Sequence, residues 1–411
     1  MNVALRGAAL VARFLFIFFL AKFLDPASVG YYGIFVATVG YAMYFVGLDF
    51  YTYVSREIVK ISPDQRGQML KGQVALSSIL YLILLPLIIW FLSKSAWPEK
   101  LIWWFAPILI LEHFNQEVSR LLIALSEQLM SSIILFVRQA ILAIIVVALM
   151  YFKESARGID VVMMIWFASG VAAACIGVWK LHQMKTAGWG LKIDWKWIKN
   201  GIITSLTFLL ATLALRGVQT FDRYWLEALG GIELVGAYVL MIGIAGTLLA
   251  FLEAAVFAFS YPALIRLHHQ KKGVEARRQV KIMFHQTLII SLVFGLVSWL
   301  VLPFLLDWIG NPIYMKAASW YPWLLLAMIF NAIGMVPHYA LYARGADRSI
   351  VYSHILALMV FIIVTYVLSG YWGVVAIFFG LNAAFIIILM WKLFAYFSVI
   401  RGEMRSNVVV N

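Results

Sequence analysis

Charged residues, prolines and paired glycines divide the chain into twelve long apolar stretches, at residues 8–24, 30–50, 73–93, 102–124, 130–152, 161–180, 201–221, 231–262, 286–306, 319–342, 350–369 and 372–396. Each approaches or exceeds the roughly 20 residues that an α-helix needs to cross a hydrocarbon core of about 30 Å. The apolar positions run continuously, without the two-residue alternation of barrel strands. Lipid admits only helices and closed barrels, because backbone polar groups find no water there. The pattern therefore predicts an all-α, polytopic membrane protein of twelve transmembrane helices.

The polar intervals set orientation and organisation. With the N-terminus in the cytoplasm, alternate connections on that side collect most of the 32 Lys and Arg residues. They include Arg56, Lys60, Arg66, Lys71, Lys185, Lys192, Lys196, Lys199, Lys271, Lys272, Arg277, Arg278, Arg344 and Lys392. The opposite side holds only Lys22, Lys94, Lys100, Lys153, Arg157, Arg223 and Lys316. The bias toward the cytoplasm predicts that both termini lie inside. The first apolar run is interrupted by Arg13 and continues past any small-residue cleavage site, so it reads as a retained helix. The outer connections are short, and no extramembrane domain is expected.

The long inner connection 181–200 divides the chain near its middle, giving a six-helix lobe over 1–190 and a second over 191–411. An offset of 206 residues aligns Val29-Gly30-Tyr31-Tyr32 with Val235-Gly236-Ala237-Tyr238, and Gly40 with Gly246. Both matches open the second span of their half, each after a polar turn, Asp25-Pro26-Ala27-Ser28 and Gly230-Gly231-Ile232-Glu233. An even number of spans per half gives the two repeats the same orientation, related by an axis along the membrane normal. Twofold bundles of this kind carry a central cavity that opens alternately to each side, which points to transport.

Composition agrees with the pattern. Of 411 residues, 64% are hydrophobic and 12% are charged, against about half and a quarter in soluble domains. Cys175 is the single cysteine and excludes an internal disulfide scaffold. The 29 Phe, 19 Tyr and 16 Trp exclude a disordered chain. The net charge of +13 is that of basic loops lying on an anionic leaflet, and requires no nucleic-acid partner.

Ionisable residues inside spans are costly and should face protein or water, so they are the candidates for a site. Arg13 lies about 10 Å beyond Arg6 on the same helical face. The second span runs into Asp49 and Arg56, again seven apart. The fourth span is the least lipid-like, with Glu112, His113, Asn115, Gln116, Glu117, Ser119 and Arg120 within nine residues. Glu112, Gln116 and Arg120 form one polar stripe, and Glu117 is placed to pair with Arg120. Arg138 interrupts the fifth span. Arg216, Asp222 and Arg223 end the seventh, and Glu253 lies deep in the eighth. Asn331, His338, His354 and Asn382 fit helix-to-helix hydrogen bonding. Three arginines at membrane depth (Arg13, Arg138, Arg216) against fewer carboxylates leave a positive interior. Such an interior favours an anion, and the planar guanidinium fork suits phosphate.

No P-loop, His-Glu-x-x-His or Gly-x-Ser-x-Gly run is present, and one His with scattered carboxylates lacks metal-ligand spacing. The reading is of a non-enzyme without a cofactor, driven by an ion or cargo gradient. Asp49, Glu112, Glu117 and Glu253 are the groups that could take up H⁺ or Na⁺.

The opening Arg6-Gly7 through Ala12-Arg13-Phe14-Leu15-Phe16, with Leu24-Asp25-Pro26 and Val29-Gly30-Tyr31-Tyr32-Gly33, resembles the Wzx-type polysaccharide and O-antigen flippases of the MATE-like MOP superfamily. Gly47 through Glu57 looks like the ending of that family's second helix. Phe221-Asp222-Arg223-Tyr224 before Val235 looks like the start of its second lobe. The resemblance implies a cargo, an oligosaccharide on undecaprenyl pyrophosphate moved from the cytoplasmic to the periplasmic leaflet of a bacterial inner membrane. It also implies neighbours in polysaccharide polymerase and glycosyltransferase machinery. It gives pyrophosphate contact to Arg13 first, then Arg138 and Arg216; the polar stripe of Glu112, Gln116 and Arg120 is expected to line the substrate site beside them. Coupling or gating falls to Asp49, Arg56, Glu117, Asp222 and Glu253. The runner-up is a MATE-type multidrug exporter, whose cationic drugs need an acidic cavity. A membrane-embedded sugar polymerase or ligase would need a long outer loop.

Overall fold

A computed structural model describes residues 1–95, 97–184 and 186–409; Lys185, assigned above to an inner connection, falls outside the described residues. The described chain is helical and contains no strand. Twelve helices correspond in order to the twelve apolar stretches. The first six are α1 (Asn2–Phe23), α2 (Pro26–Gly47), α3 (Pro63–Ser93), α4 (Glu99–Ala124), α5 (Gln128–Phe152) and α6 (Ile159–Gln183). The second six are α7 (Trp195–Gly230), α8 (Ile232–His269), α9 (Gly273–Ile309), α10 (Pro312–Tyr342), α11 (Asp347–Trp372) and α12 (Val375–Val409). Ten are long and apolar enough to cross a membrane, and the bent pair Trp195–Leu206 with Phe208–Gly230 in α7 makes an eleventh. The remaining helix, α4, has the length at 26 residues but carries the polar cluster anticipated for the fourth span.

Several helices begin well before their apolar stretch. α3 starts at Pro63, where proline at the first position costs no hydrogen bond. Its polar first turns hold the segment before α7. Gly67 N–H donates to the Ala187 carbonyl at 2.8 Å, Gln68 Nε2 to the Lys192 carbonyl at 2.7 Å, and Lys71 Nζ to the Leu191 carbonyl at 3.0 Å. Trp197 then packs on Phe50 and Tyr53, with ring centroids 5.4 Å from each. These ties explain why the chain divides into compact units Met1–Leu209 and Leu210–Asn411, inside α7, rather than at 190/191.

The burial pattern is that of a lipid-immersed protein. On α9, Leu292, Leu296, Leu300 and Phe304 form an exposed stripe four residues apart, while Thr287 and Ser291 are fully buried. Large apolar groups face outward to acyl chains and small ones face inward, where they let helices approach. In the N-terminal unit Phe35 stacks among Trp97, Phe105 and Trp166, with centroids 5.6 to 6.0 Å away. In the C-terminal unit Leu248, Leu252, Phe257, Met283, Val336 and Tyr396 share a core.

The sequence repeat has a structural counterpart. Tyr32 on α2 packs edge-on against Phe16 on α1 at 5.9 Å. The residues 206 positions later are Tyr238 and Asp222, and there the Tyr238 hydroxyl donates to the Asp222 carboxylate. The same pair of positions meets in both halves, with apolar chemistry in one and polar chemistry in the other.

Candidate functional site

α1 carries Arg13 near its midpoint, with the side chain exposed within its own unit. The guanidinium lies within electrostatic reach of the Tyr32 hydroxyl on α2, which in turn senses Glu112 on α4. Glu112 is held on both oxygens. Trp166 Nε1 on α6 donates to Oε1 at 2.8 Å, and Arg138 Nη2 on α5 lies 2.7 Å from Oε2. Both members of this ion pair are about nine-tenths buried. Arg138 belongs to a π-helical turn, Val137–Ile141, that interrupts α5. Such turns insert one extra residue and occur preferentially at functional sites.

A second cluster lies between α2, α3 and α4. Here α2 ends at Gly47, and Leu48 and Asp49 adopt left-handed backbone (φ 49° and 51°) before the short helix Tyr51–Glu57. Non-glycine residues pay for that conformation, and strain of this kind concentrates at functional sites. The turn buries Asp49 to 3% exposure and swings Tyr51 beneath Arg120, whose guanidinium sits 3.4 Å from the ring centre. Glu117 accepts from Gln73 Nε2 on α3 at 2.6 Å and from Arg120 Nη1 at 3.2 Å. The Tyr81 hydroxyl meets His113 Nδ1 at 2.5 Å. Asp49, Tyr51, His113, Gln116, Glu117 and Arg120 surround a cavity of about 10 Å³, the room of one water molecule.

The stripe expected on α4 therefore splits. Gln116, Glu117 and Arg120 face the small cavity, whereas Glu112 faces Arg138 and Trp166. Of the three arginines expected to make the interior positive, Arg138 meets a carboxylate. Arg138 is neutralised by Glu112 and Arg120 by Glu117. Arg13 has no carboxylate partner among the described residues. Arg56 is exposed and lies over the Phe208 ring at 5.7 Å.

In the C-terminal unit Arg216 is exposed, with Nη1 3.4 Å from Gln219 Oε1. Asp222 is buried and receives both the Tyr238 hydroxyl and Arg223 Nη1, the latter at 3.0 Å. That triad ties the C-terminal end of α7 to the start of α8. Glu253 opens a second π turn, Glu253–Phe257, and accepts from the Tyr339 hydroxyl on α10 at 2.7 Å. Asn382 donates to the Trp323 carbonyl at 3.0 Å, a helix-to-helix bond of the expected kind.

Lys392 departs from its sequence assignment. It does not lie in an inner connection: α12 runs on past residue 396, and Lys392 is buried inside it beside His354. Tyr32, Gln73, Tyr81 and Trp166 complete the clusters without having been singled out. Their hydroxyl, amide and indole groups are common in spans and carry no sequence signal until a partner is placed beside them. No group of three or more His, Cys, Asp or Glu that could hold a metal occurs among the described residues.

The comparisons with known proteins agree with this architecture. An inward-facing multidrug resistance MATE family transporter of the MOP superfamily superposes with a TM-score of 0.78 at 12% identity, over 97% of this chain and 96% of that one. An outward-facing one gives 0.62 at 13% identity, over 96% of each chain. The Vibrio cholerae MATE transporter VcmN in its bent form gives 0.61 at 15% identity, over 98% of each. No match was found among curated protein sequences. The sequence model described as polysaccharide biosynthesis protein matches residues 3–268, well over half of the chain. The chain is thus a multi-pass membrane protein with the fold of MATE transporters, and it belongs to the polysaccharide biosynthesis protein family.

Proposed function

We propose that the protein is a flippase that moves an oligosaccharide on an undecaprenyl pyrophosphate carrier from the cytoplasmic to the periplasmic leaflet of a bacterial inner membrane by alternating access. Both termini lie in the cytoplasm in this reading, and polymerase and glycosyltransferases act on either side of the step. The observation that carries the proposal is Arg13. It is an exposed guanidinium halfway along a span, beside Tyr32 and without a carboxylate partner among the described residues. A charge at that depth belongs in water or against an acidic ligand, not in lipid. Its planar fork offers two parallel donors to a phosphate group. Arg138 then serves by holding Glu112 and Trp166 in place, while Arg216 offers a further exposed donor.

The drug-exporter reading requires an acidic group able to hold a cation. The two carboxylates of the α4 polar stripe, Glu112 and Glu117, are already matched by arginines, which favours the anionic cargo.

The test is surface polysaccharide in a strain lacking the chromosomal copy. A hydrogen bond to a charged group contributes about 1.5–3 kcal/mol, roughly 10- to 100-fold at 1.4 kcal/mol per decade. Arg13→Ala should lower export by that factor at unchanged membrane abundance, and Arg13→Lys should restore only part of it. Full export by Arg13→Ala would remove the residue from the site and the proposal with it.

A further inference from the structure

Lys392 on α12 is 2% exposed, and its Nζ lies 3.1 Å from Nε2 of His354 on α11. Lys392 makes no ion pair among the described residues. His354 is itself 6% exposed. His338 on α10 stacks flat on it, with ring centroids 6.2 Å apart and planes 6° from parallel. His338 is only partly exposed, and its Nδ1 is buried. The Nδ1 atoms of both histidines are buried and make no regular hydrogen bond.

The groups facing this site can be named by helix. α7 brings the Ala211 backbone carbonyl within hydrogen-bonding reach of His354. α10 presents His338, with Tyr339 and Tyr342 against the His338 ring. α8 reaches the region through Glu253, which is engaged by the Tyr339 hydroxyl. Among the described residues no carboxylate meets the amine directly.

Two adjacent cations in a dry core without a counter-ion repel strongly, so the pair holds one proton or none. The hydrogen bond survives in both states. With the amine neutral, His354 Nε2–H donates to Nζ and Nδ1 is bare. A proton arriving at Nδ1 lets the Nε2 proton pass to the amine, which becomes an ammonium donating to the vacated Nε2. One proton enters at Nδ1, one crosses between the partners, and the bond reverses direction. Nδ1 makes no hydrogen bond of regular geometry, so it can take up hydrogen, and the Ala211 carbonyl beside His354 is the acceptor that hydrogen then meets.

We propose that Lys392 and His354 form a one-proton exchange site in the C-terminal unit, with His338 stacked on its imidazole. That this site couples transport to a proton gradient rests on the transporter reading above; the exchange itself does not.

The test uses the purified full-length chain in nanodiscs of zwitterionic phospholipid, titrated with acid and base between about pH 5 and 9. Lys392→Met should bind about one proton per chain fewer than the unmodified protein over that interval. Superimposable curves overturn the proposal. Should Lys392→Met lose its fold by circular dichroism, ¹⁵N-histidine NMR of the unmodified chain decides. One imidazole, assigned through His354→Gln, should change which nitrogen carries hydrogen as pH changes; a fixed tautomer throughout overturns the exchange. Neither measurement involves cargo. A chain that keeps exporting with Arg13→Ala would lose the flippase reading and keep the proton site.

Discussion

At the scale of single residues, the ion pair between Glu112 and Arg138 shows what a charge at membrane depth requires. Each is about nine-tenths buried, and Glu112 spends its other oxygen on Trp166. Removing one member leaves the other charged and unmatched, which costs about 3–5 kcal/mol, whereas removing both together costs far less. Arg138→Met should therefore lower the thermal midpoint in detergent strongly, and the double variant Glu112→Gln with Arg138→Met should recover most of the loss. Additive losses would mean that the two side chains do not act as a pair. Such residues stand out in the sequence because hydropathy marks each as misplaced. Their partners do not, since the pairing depends on which face α5 turns toward α4, and a π turn resets that face. Lys392 is the converse case: it lies four residues from the end of its apolar stretch and counts with the basic residues of that side until the helix is seen to continue and bury it.

At the scale of helices, the apolar stretches locate all twelve elements but not their ends. The hydrophobic pattern records only the length in contact with lipid, whereas α3 and α9 continue as polar helix beyond it. Nor does the pattern reveal close approaches, and α2 shows their effect on a single element. A Cβ on Gly47 would come within 2.5 Å of His113 Nε2, while one on Gly40 would meet nothing within 4 Å. Alanine at position 40 gains helix propensity, up to about 1 kcal/mol. Alanine at position 47 overpacks the joint where α2 gives way to the Asp49 turn, at about 1–3 kcal/mol. Gly40→Ala should thus hold or raise the melting temperature and Gly47→Ala lower it, with the Tyr81–His113 contact displaced. Equal effects would show that α2 ends without pressing on α4.

At the scale of the molecule, the chain is two compact units of similar size whose helices follow the same order, and the Phe16–Tyr32 and Asp222–Tyr238 pairs mark equivalent places in them. Six spans in each half and a net charge of +13 lead to one topology. In that expected topology the connections before α3, α5, α7, α9 and α11 face the cytoplasm, because basic residues beside spans are retained on that side. The single native cysteine, Cys175, makes this directly measurable: in a Cys175→Ser background, every introduced thiol is unique. Lys60→Cys and Lys272→Cys should react with a membrane-impermeant maleimide only after the membrane is permeabilised. Glu154→Cys and Asn311→Cys should react in intact spheroplasts. The reverse pattern would invert the protein and with it the direction of transport. A mixed pattern would mean that one of the twelve helices does not cross, and α4 would be the first suspect, since its polar cluster excludes it from the ten helices that qualify by length and apolarity.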